Sequence, residues 1–176
     1  MCNNKALITS SYMTSMEQQF TKAYEELSDA IFRHCYFRIG DREKAKDLMQ
    51  STFIKSWQSI SQGTKVNNLR PFLYKVANNL IIDEYRKKKE LSLDGLMAEG
   101  FEPGFDEIKN TEQGIDAKLV IGVINQLDEK YREVVLMRYV DELSPKEIAE
   151  ITGDSDNNIS VRIHRGIKQL KEILEK

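Results

Sequence analysis

Leu143-Ser-Pro-Lys-Glu-Ile-Ala-Glu-Ile-Thr-Gly153, followed by Asp154-Ser-Asp-Asn-Asn-Ile-Ser-Val-Arg-Ile-His-Arg165, reads as two helices broken by a glycine turn. Ser144 is placed to cap the first helix, and Glu147 completes a capping box three residues on. Pro145 falls at the first helical position, where its missing N–H does no harm. The second helix carries Ile159, Ile163, Ile167, Leu170 and Leu174 on one stripe. A short helix, a glycine turn and a longer amphipathic helix make a helix-turn-helix. Across from the isoleucine stripe lie Val161, His164, Arg165 and Lys168, with Arg162 at the margin. An exposed β-branched residue among cations suits a major-groove surface, where apolar contact meets thymine methyls and Arg meets guanine or phosphate. An ordinary amphipathic helix with a solvated basic face is the plainer alternative.

The rest of the chain is helical too. Ala45, Leu48, Met49, Thr52, Phe53, Ser56, Trp57 and Ile60 repeat at helical spacing behind Asp41, a plausible N-cap. Further helices are expected over roughly 15–38, 69–89, 116–126, 128–140, 145–152 and 156–174, and no segment alternates like a strand. Nine Gly and three Pro in 176 residues also speak against a loop-rich β fold. The expected fold is all-α, with two small helical domains, 15–90 and 116–176, joined by a flexible acidic linker over 91–115.

A formal net charge of −2 first suggests a poor nucleic-acid binder. Resolved along the chain, the charge separates. Residues 70–90 carry six basic against three acidic side chains, net +3, and residues 157–176 five against two, also +3. Between them, residues 91–117 hold seven acidic side chains against Lys109, net −6, together with Gly95, Gly100, Pro103, Gly104 and Gly114. That composition is a tether.

Two cysteines, Cys2 and Cys35, form no C-x-x-C pair, and His34 and His164 are far apart in sequence, so neither a disulfide framework nor a metal site is expected. No nucleotide loop or nucleophile–base pair with recognisable spacing is present, so no enzyme and no cofactor are expected. The opening residues precede no signal-peptide core, and no stretch approaches a membrane span. A cytoplasmic protein without membrane insertion is expected.

The segment from Phe72 to Arg86 has two useful faces. Leu73, Ala77, Leu80 and Ile81 form a core stripe, and Phe72, Lys75, Val76, Asn79, Asp83 and Arg86 line the opposite side. Adjacent Asn78 and Asn79 weaken a helix interior, so propensity does not explain them. Amides can bind base edges while aromatic and basic neighbours stack on bases and hold phosphates. The polar stretch Ser61-Gln-Gly-Thr-Lys-Val-Asn-Asn68 could fold over an extruded base. Asparagines contacting neighbouring loops, beside a solvated Arg86–Lys89 helix end, are the equal alternative.

The chain resembles a bacterial RNA polymerase sigma factor of the sigma-70 family, extracytoplasmic-function (ECF) type. In the first lobe this rests on Gly40-Asp41, Asp47-Leu-Met-Gln-Ser-Thr-Phe-Ile-Lys-Ser-Trp57, Leu69-Arg-Pro-Phe-Leu73, Ala77-Asn-Asn79, Asp83 and Arg86. In the second it rests on Leu127, Arg132-Glu-Val134, Arg138-Tyr139, Leu143-Ser144, Glu147-Ile-Ala149, Gly153 and Arg162-Ile-His-Arg165. The resemblance implies that the first lobe docks on the β′ clamp helices of core polymerase through Asp47, Gln50, Phe53 and Trp57. For Phe53 and Trp57, the helical spacing favours a core role instead. It implies capture of the unpaired minus-10 strand by Lys65, Lys75, Asn78, Asn79, Asp83, Arg86 and Lys87, with Asn79 as the leading base contact. It implies minus-35 reading by Asn158, Ser160, Val161, Arg162, His164, Arg165 and Lys168, contact with the β flap, and control by an anti-sigma factor. Asp154 and Ser160 depart from the family, which often has an apolar residue after the turn glycine and a basic one at the second position. The departure implies weaker or unusual minus-35 recognition. The competing readings are a sigma-like decoy that only binds an anti-sigma factor, and a stand-alone helix-turn-helix repressor, which leaves the first lobe unexplained.

Overall fold

The computed structural model describes the backbone of residues 3–94 and 122–175, and the side chains of residues 15–87 and 122–175. The acidic linker from 95 to 115 and most of the helix expected over 116–126 lie outside the described residues. Within them the chain is all-α, with no strand. Helices α1 (Asn3–Ile39), α2 (Arg42–Ser61) and α3 (Leu69–Asp94) pack on one another as the N-terminal half. Helices α4 (Glu129–Tyr139), α5 (Pro145–Thr152) and α6 (Asp156–Leu174) form the C-terminal half, preceded by a helical turn at 122–124.

Local chemistry sets the joints. Gly40, at φ +74°, takes the left-handed turn that closes α1. One residue later the Asp41 carboxylate accepts from the Lys44 N–H at 3.0 Å and starts α2. The Ser144 hydroxyl accepts from the Glu147 N–H at 3.3 Å, and the Glu147 carboxylate accepts from the Ser144 N–H at 2.9 Å. That reciprocal pair is the expected capping box, with Pro145 at the first helical position. Gly153, at φ +76°, ends α5, and the Ser155 hydroxyl caps α6. Helix α3 continues to Asp94, into the stretch expected to be tether.

Ile31, Cys35, Ile39, Ala45, Phe53, Leu73, Ala77 and Ile81 are buried in the N-terminal half, and Val134, Met137, Leu143, Ile148 and Ile159 in the C-terminal half. These residues form one contiguous cluster, because α3 packs against α5. Tyr74, outside the expected core stripe, is buried too, its ring edge-on to His34 of α1 with centroids 5.0 Å apart. Burial pushes its phenol up to about 12, with the Asp141 carboxylate adding to the shift.

Gly166 marks a close helix–helix contact in the C-terminal half. A Cβ built there would stand 2.7 Å from Val135 Cγ2 and 3.3 Å from Tyr131 Cβ, so α6 lies on α4 at a distance only glycine allows. Val135 is itself buried and has no room to yield. Gly166→Val is expected to destabilise by about 1–3 kcal/mol through overpacking. Thermal denaturation measures it, and an unchanged midpoint would show that the two helices have room to shift apart.

Candidate nucleic-acid interface

On α6, Ile159 and Gly166 are buried and Ile163, Ile167 and Leu170 half-buried, so the apolar stripe packs inward as expected up to Leu170, whereas Leu174, expected on the same stripe, stands exposed at the helix end. The opposite face is open. Asn158, Ser160, Val161, His164, Arg165 and Lys168 are exposed, Val161 at 41%. An aliphatic side chain among these cations offers a thymine methyl an apolar contact on a basic face. Three polar side chains on this face are already engaged. The Ser160 hydroxyl donates to the Asp156 carbonyl at 2.9 Å, which occupies its only donor. The Asp154 carboxylate accepts from the Asn158 amide at 2.9 Å and pairs with Arg162 at 2.7 Å. These hydrogen bonds, with another from the Ser155 N–H, hold the Asp154 carboxyl below the usual carboxylate range, and Arg162 adds to the effect.

The outer face of α3 presents Lys75, Asn79, Arg86 and Lys87, all exposed, with Asp83 half-buried and paired to Arg86 at 2.5 Å. Lys65 is exposed in the loop before α3, where Gly63 at φ +97° permits the turn. The adjacent asparagines diverge, as helical geometry requires of neighbours. Asn79 faces outward, whereas half-buried Asn78 lines a cleft between the halves, with Tyr85, Arg132 and Arg162 among the other walls. That cleft encloses about 470 Å³. One candidate minus-10 residue and one candidate minus-35 residue therefore share a cavity.

Along α2, Asp47 and Gln50 are exposed and Trp57 is half-buried. Phe53 is 4% exposed, with its ring packed on Phe20 and Tyr24 in the core. Ile54, not singled out by the sequence reading, is exposed on the same helical face as Asp47 and Gln50. With Phe20, Trp57 and the rim of Phe53 it lines an apolar groove of about 460 Å³.

A buried polar seam joins the halves, and the sequence reading missed it. From α1, the His34 Nδ1–H donates to Asp141 Oδ2 at 2.7 Å; a carboxylate can only accept, which fixes the proton on Nδ1. Arg38, also on α1, donates from Nε to both Glu133 oxygens at 3.1 and 3.2 Å. It further donates to the His34 carbonyl at 2.9 Å and to Asp141 Oδ2 at 3.2 Å. From α3, Arg70 donates to the carbonyls of Asp141 and Glu142. Glu142 is the one non-glycine residue with positive φ, at +56°, among those described, so Arg70 braces a bend that its own side chain disfavours. Burial opposes charge on Asp141, but His34 and Arg38 outweigh it and hold the carboxyl below the usual range. The sequence signal was available. His34 and Arg38 sit one turn apart on the stripe of α1 that carries Ile31, Cys35 and Ile39, and polar residues on a buried stripe need buried partners.

Among the described residues, no helix is long and apolar enough to cross a membrane. Two family models match the chain, Sigma-70 region 2 over residues 23–90 and Sigma-70, region 4 over residues 118–170. The ECF RNA polymerase sigma factor SigW of Bacillus subtilis is 31% identical over 168 residues, covering 90% of each chain. The ECF RNA polymerase sigma factor SigL of Mycobacterium tuberculosis is 26% identical over 153 residues, covering 86% of each. Among solved structures, the sigma factor RpoE in complex with the anti-sigma factor NepR from Bartonella quintana aligns with a TM-score of 0.73 at 22% identity, over 90% of this chain and 98% of that one. CnrH in complex with the cytosolic domain of CnrY aligns at 0.68 and 18% identity, over 90% and 89%.

Proposed function

Because the chain belongs to the sigma-70 family, as an ECF sigma factor that directs RNA polymerase to promoters, we propose how its residues divide that work. The carrying observation is the pair of open basic faces, Lys75, Asn79 and Arg86 on α3 and Val161, His164, Arg165 and Lys168 on α6. The α3 face and Lys65 take the unpaired minus-10 strand, with Asn79 on a base edge and the cations on phosphates. Extruding a base requires a few kcal/mol, which this site must offset. The α6 face enters the major groove of the minus-35 element. Asp47, Gln50, Ile54 and Trp57 dock on the β′ clamp helices of core polymerase, and the C-terminal half meets the β flap. The chain performs no chemistry of its own, and bond formation belongs to the polymerase. It works in the cytoplasm, where polymerase and chromosome are, and the likeness to RpoE, solved in complex with the anti-sigma factor NepR, supports a similar partner here.

Reading both elements requires the halves to part. By their designations the elements lie about 25 base pairs apart, roughly 85 Å at about 3.4 Å per base pair. A compact chain of 176 residues is only about 40 Å across. The arrangement that places Asn78 and Arg162 in one cleft is thus a closed form, and engaging a promoter breaks the seam at Asp141.

Arg165 gives a direct test. If it reads a guanine edge, Arg165→Ala weakens holoenzyme binding by about 1–3 kcal/mol at one or two minus-35 positions. Competition binding across single-base promoter variants measures this. A uniform loss at every sequence would move Arg165 from base reading to phosphate contact.

A further inference from the structure

The residue after the turn glycine, Asp154, is one of the two departures from the family pattern in the recognition region, and both of its carboxylate oxygens are engaged. Asp154 Oδ1 accepts from the Asn158 side-chain amide at 2.9 Å and from the Ser155 N–H at 2.9 Å, while Oδ2 meets Arg162 at 2.7 Å. Both partners are candidate reading residues, one and two turns along α6. An apolar residue at 154 could hold neither.

We propose that Asp154 is a positioning residue for minus-35 specificity: it orients Asn158 to read adenine and keeps Arg162 on the protein instead of the DNA. The proposal rests on the minus-35 reading of α6 given above. A primary amide has one acceptor oxygen and two hydrogens, and free in water it flips between two indistinguishable-sized orientations. Asp154, ionised, can only accept, so it captures one amide hydrogen and rejects the flipped form, which would set oxygen against oxygen. Oδ1 and the second N–H of Asn158 are left for the groove. An acceptor beside a donor matches the N6 donor and N7 acceptor of adenine, and no other base offers that pair on its major-groove edge. Arg162, held at Oδ2, contributes no phosphate contact, so the chain binds with one fewer cation than its sequence suggests. The departure from the family therefore narrows base choice and lowers electrostatic affinity through a single carboxylate.

Two substitutions separate these roles. Asp154→Asn keeps an acceptor for the Asn158 amide but removes the charge that holds Arg162, whereas Asp154→Ala removes both. Holoenzyme reconstituted with each full-length variant is titrated against promoter fragments that differ at single minus-35 positions, at several salt concentrations. The wild type is expected to prefer adenine at one position. Asp154→Ala should reduce that preference about fivefold or more, within the range a bidentate contact supplies, and Asp154→Asn should retain most of it. In both variants the released Arg162 should steepen the slope of log affinity against log salt by about 0.9, the value for one added phosphate contact. Adding Arg162→Ala should return the slope to wild type. Unchanged adenine preference in Asp154→Ala would overturn the proposal, as would an equal loss at all sequences with an unchanged slope, which marks a merely structural role. A wild type without any minus-35 preference would remove the underlying reading as well, and so is distinguishable from failure of the Asp154 assignment alone.

Discussion

Asp141→Ala is expected to release the C-terminal half from the N-terminal half while leaving each folded. The carboxylate is buried and serves His34 at 2.7 Å and Arg38 at 3.2 Å. Its removal strands a buried guanidinium edge and a buried imidazole N–H, and breaking a buried charge pair from one side costs about 3–5 kcal/mol. The lower end applies, since Arg38 retains Glu133. The seam suits a reversible closure for the same reason that it resists a one-sided cut. When both sides leave together, every charge regains water, so opening as a unit is far easier than its contacts suggest. Resonance energy transfer between labels on exposed α2 and α6 positions should report a larger separation in Asp141→Ala, with activity on promoters retained. An unchanged separation would assign closure to the apolar contact of α3 with α5 instead.

Acid should act on the same carboxyl in a defined window. Its folded pKa lies below the ordinary value, so its stabilising contribution is complete above about pH 4 and is lost as pH falls through the folded value. Between pH 5 and 8 titration of Asp141 leaves the closed form unaffected, and the label separation should show no transition from this group there.

Asn79→Ala is expected to block promoter melting while sparing duplex binding. Asn79 is exposed on α3, so truncation leaves no cavity, and Ala is the better helix former by a few tenths of a kcal/mol. Folding therefore cannot explain a defect. A base-edge contact of about 1–3 kcal/mol corresponds to roughly five- to 150-fold in the melting equilibrium constant. Permanganate reactivity of minus-10 thymines reads the melted fraction, and mobility shift of the duplex complex serves as the control. Equal melting by mutant and wild type would transfer base capture to another α3 residue.

Most of the local structure was legible in the sequence, because caps and periodicity are short-range. Asp41, the Ser144–Glu147 box, Gly153 and the isoleucine stripe of α6 are each decided within a few residues, and the structure places them as the spacing predicts. Long-range facts were not legible. His34 and Asp141 are 107 positions apart, and no period connects them. Tyr74 lay outside the expected core stripe, and its burial edge-on to His34 of α1 is a contact across 40 positions. Gly166 sat unnoticed on the packed face, since a missing side chain adds nothing to a pattern of apolar residues. The departure at Asp154 was visible, whereas its grip on Asn158 and Arg162 needed coordinates. Charge followed the same rule: the sum of −2 concealed basic surfaces that only segment-by-segment counting exposed.

Run-off transcription with purified core polymerase and a library of promoter fragments tests promoter direction by this chain most directly. Added full-length protein should yield discrete starts from a subset of fragments sharing two elements about 25 base pairs apart by designation. Binding to core polymerase with no start above the level of core alone would contradict it.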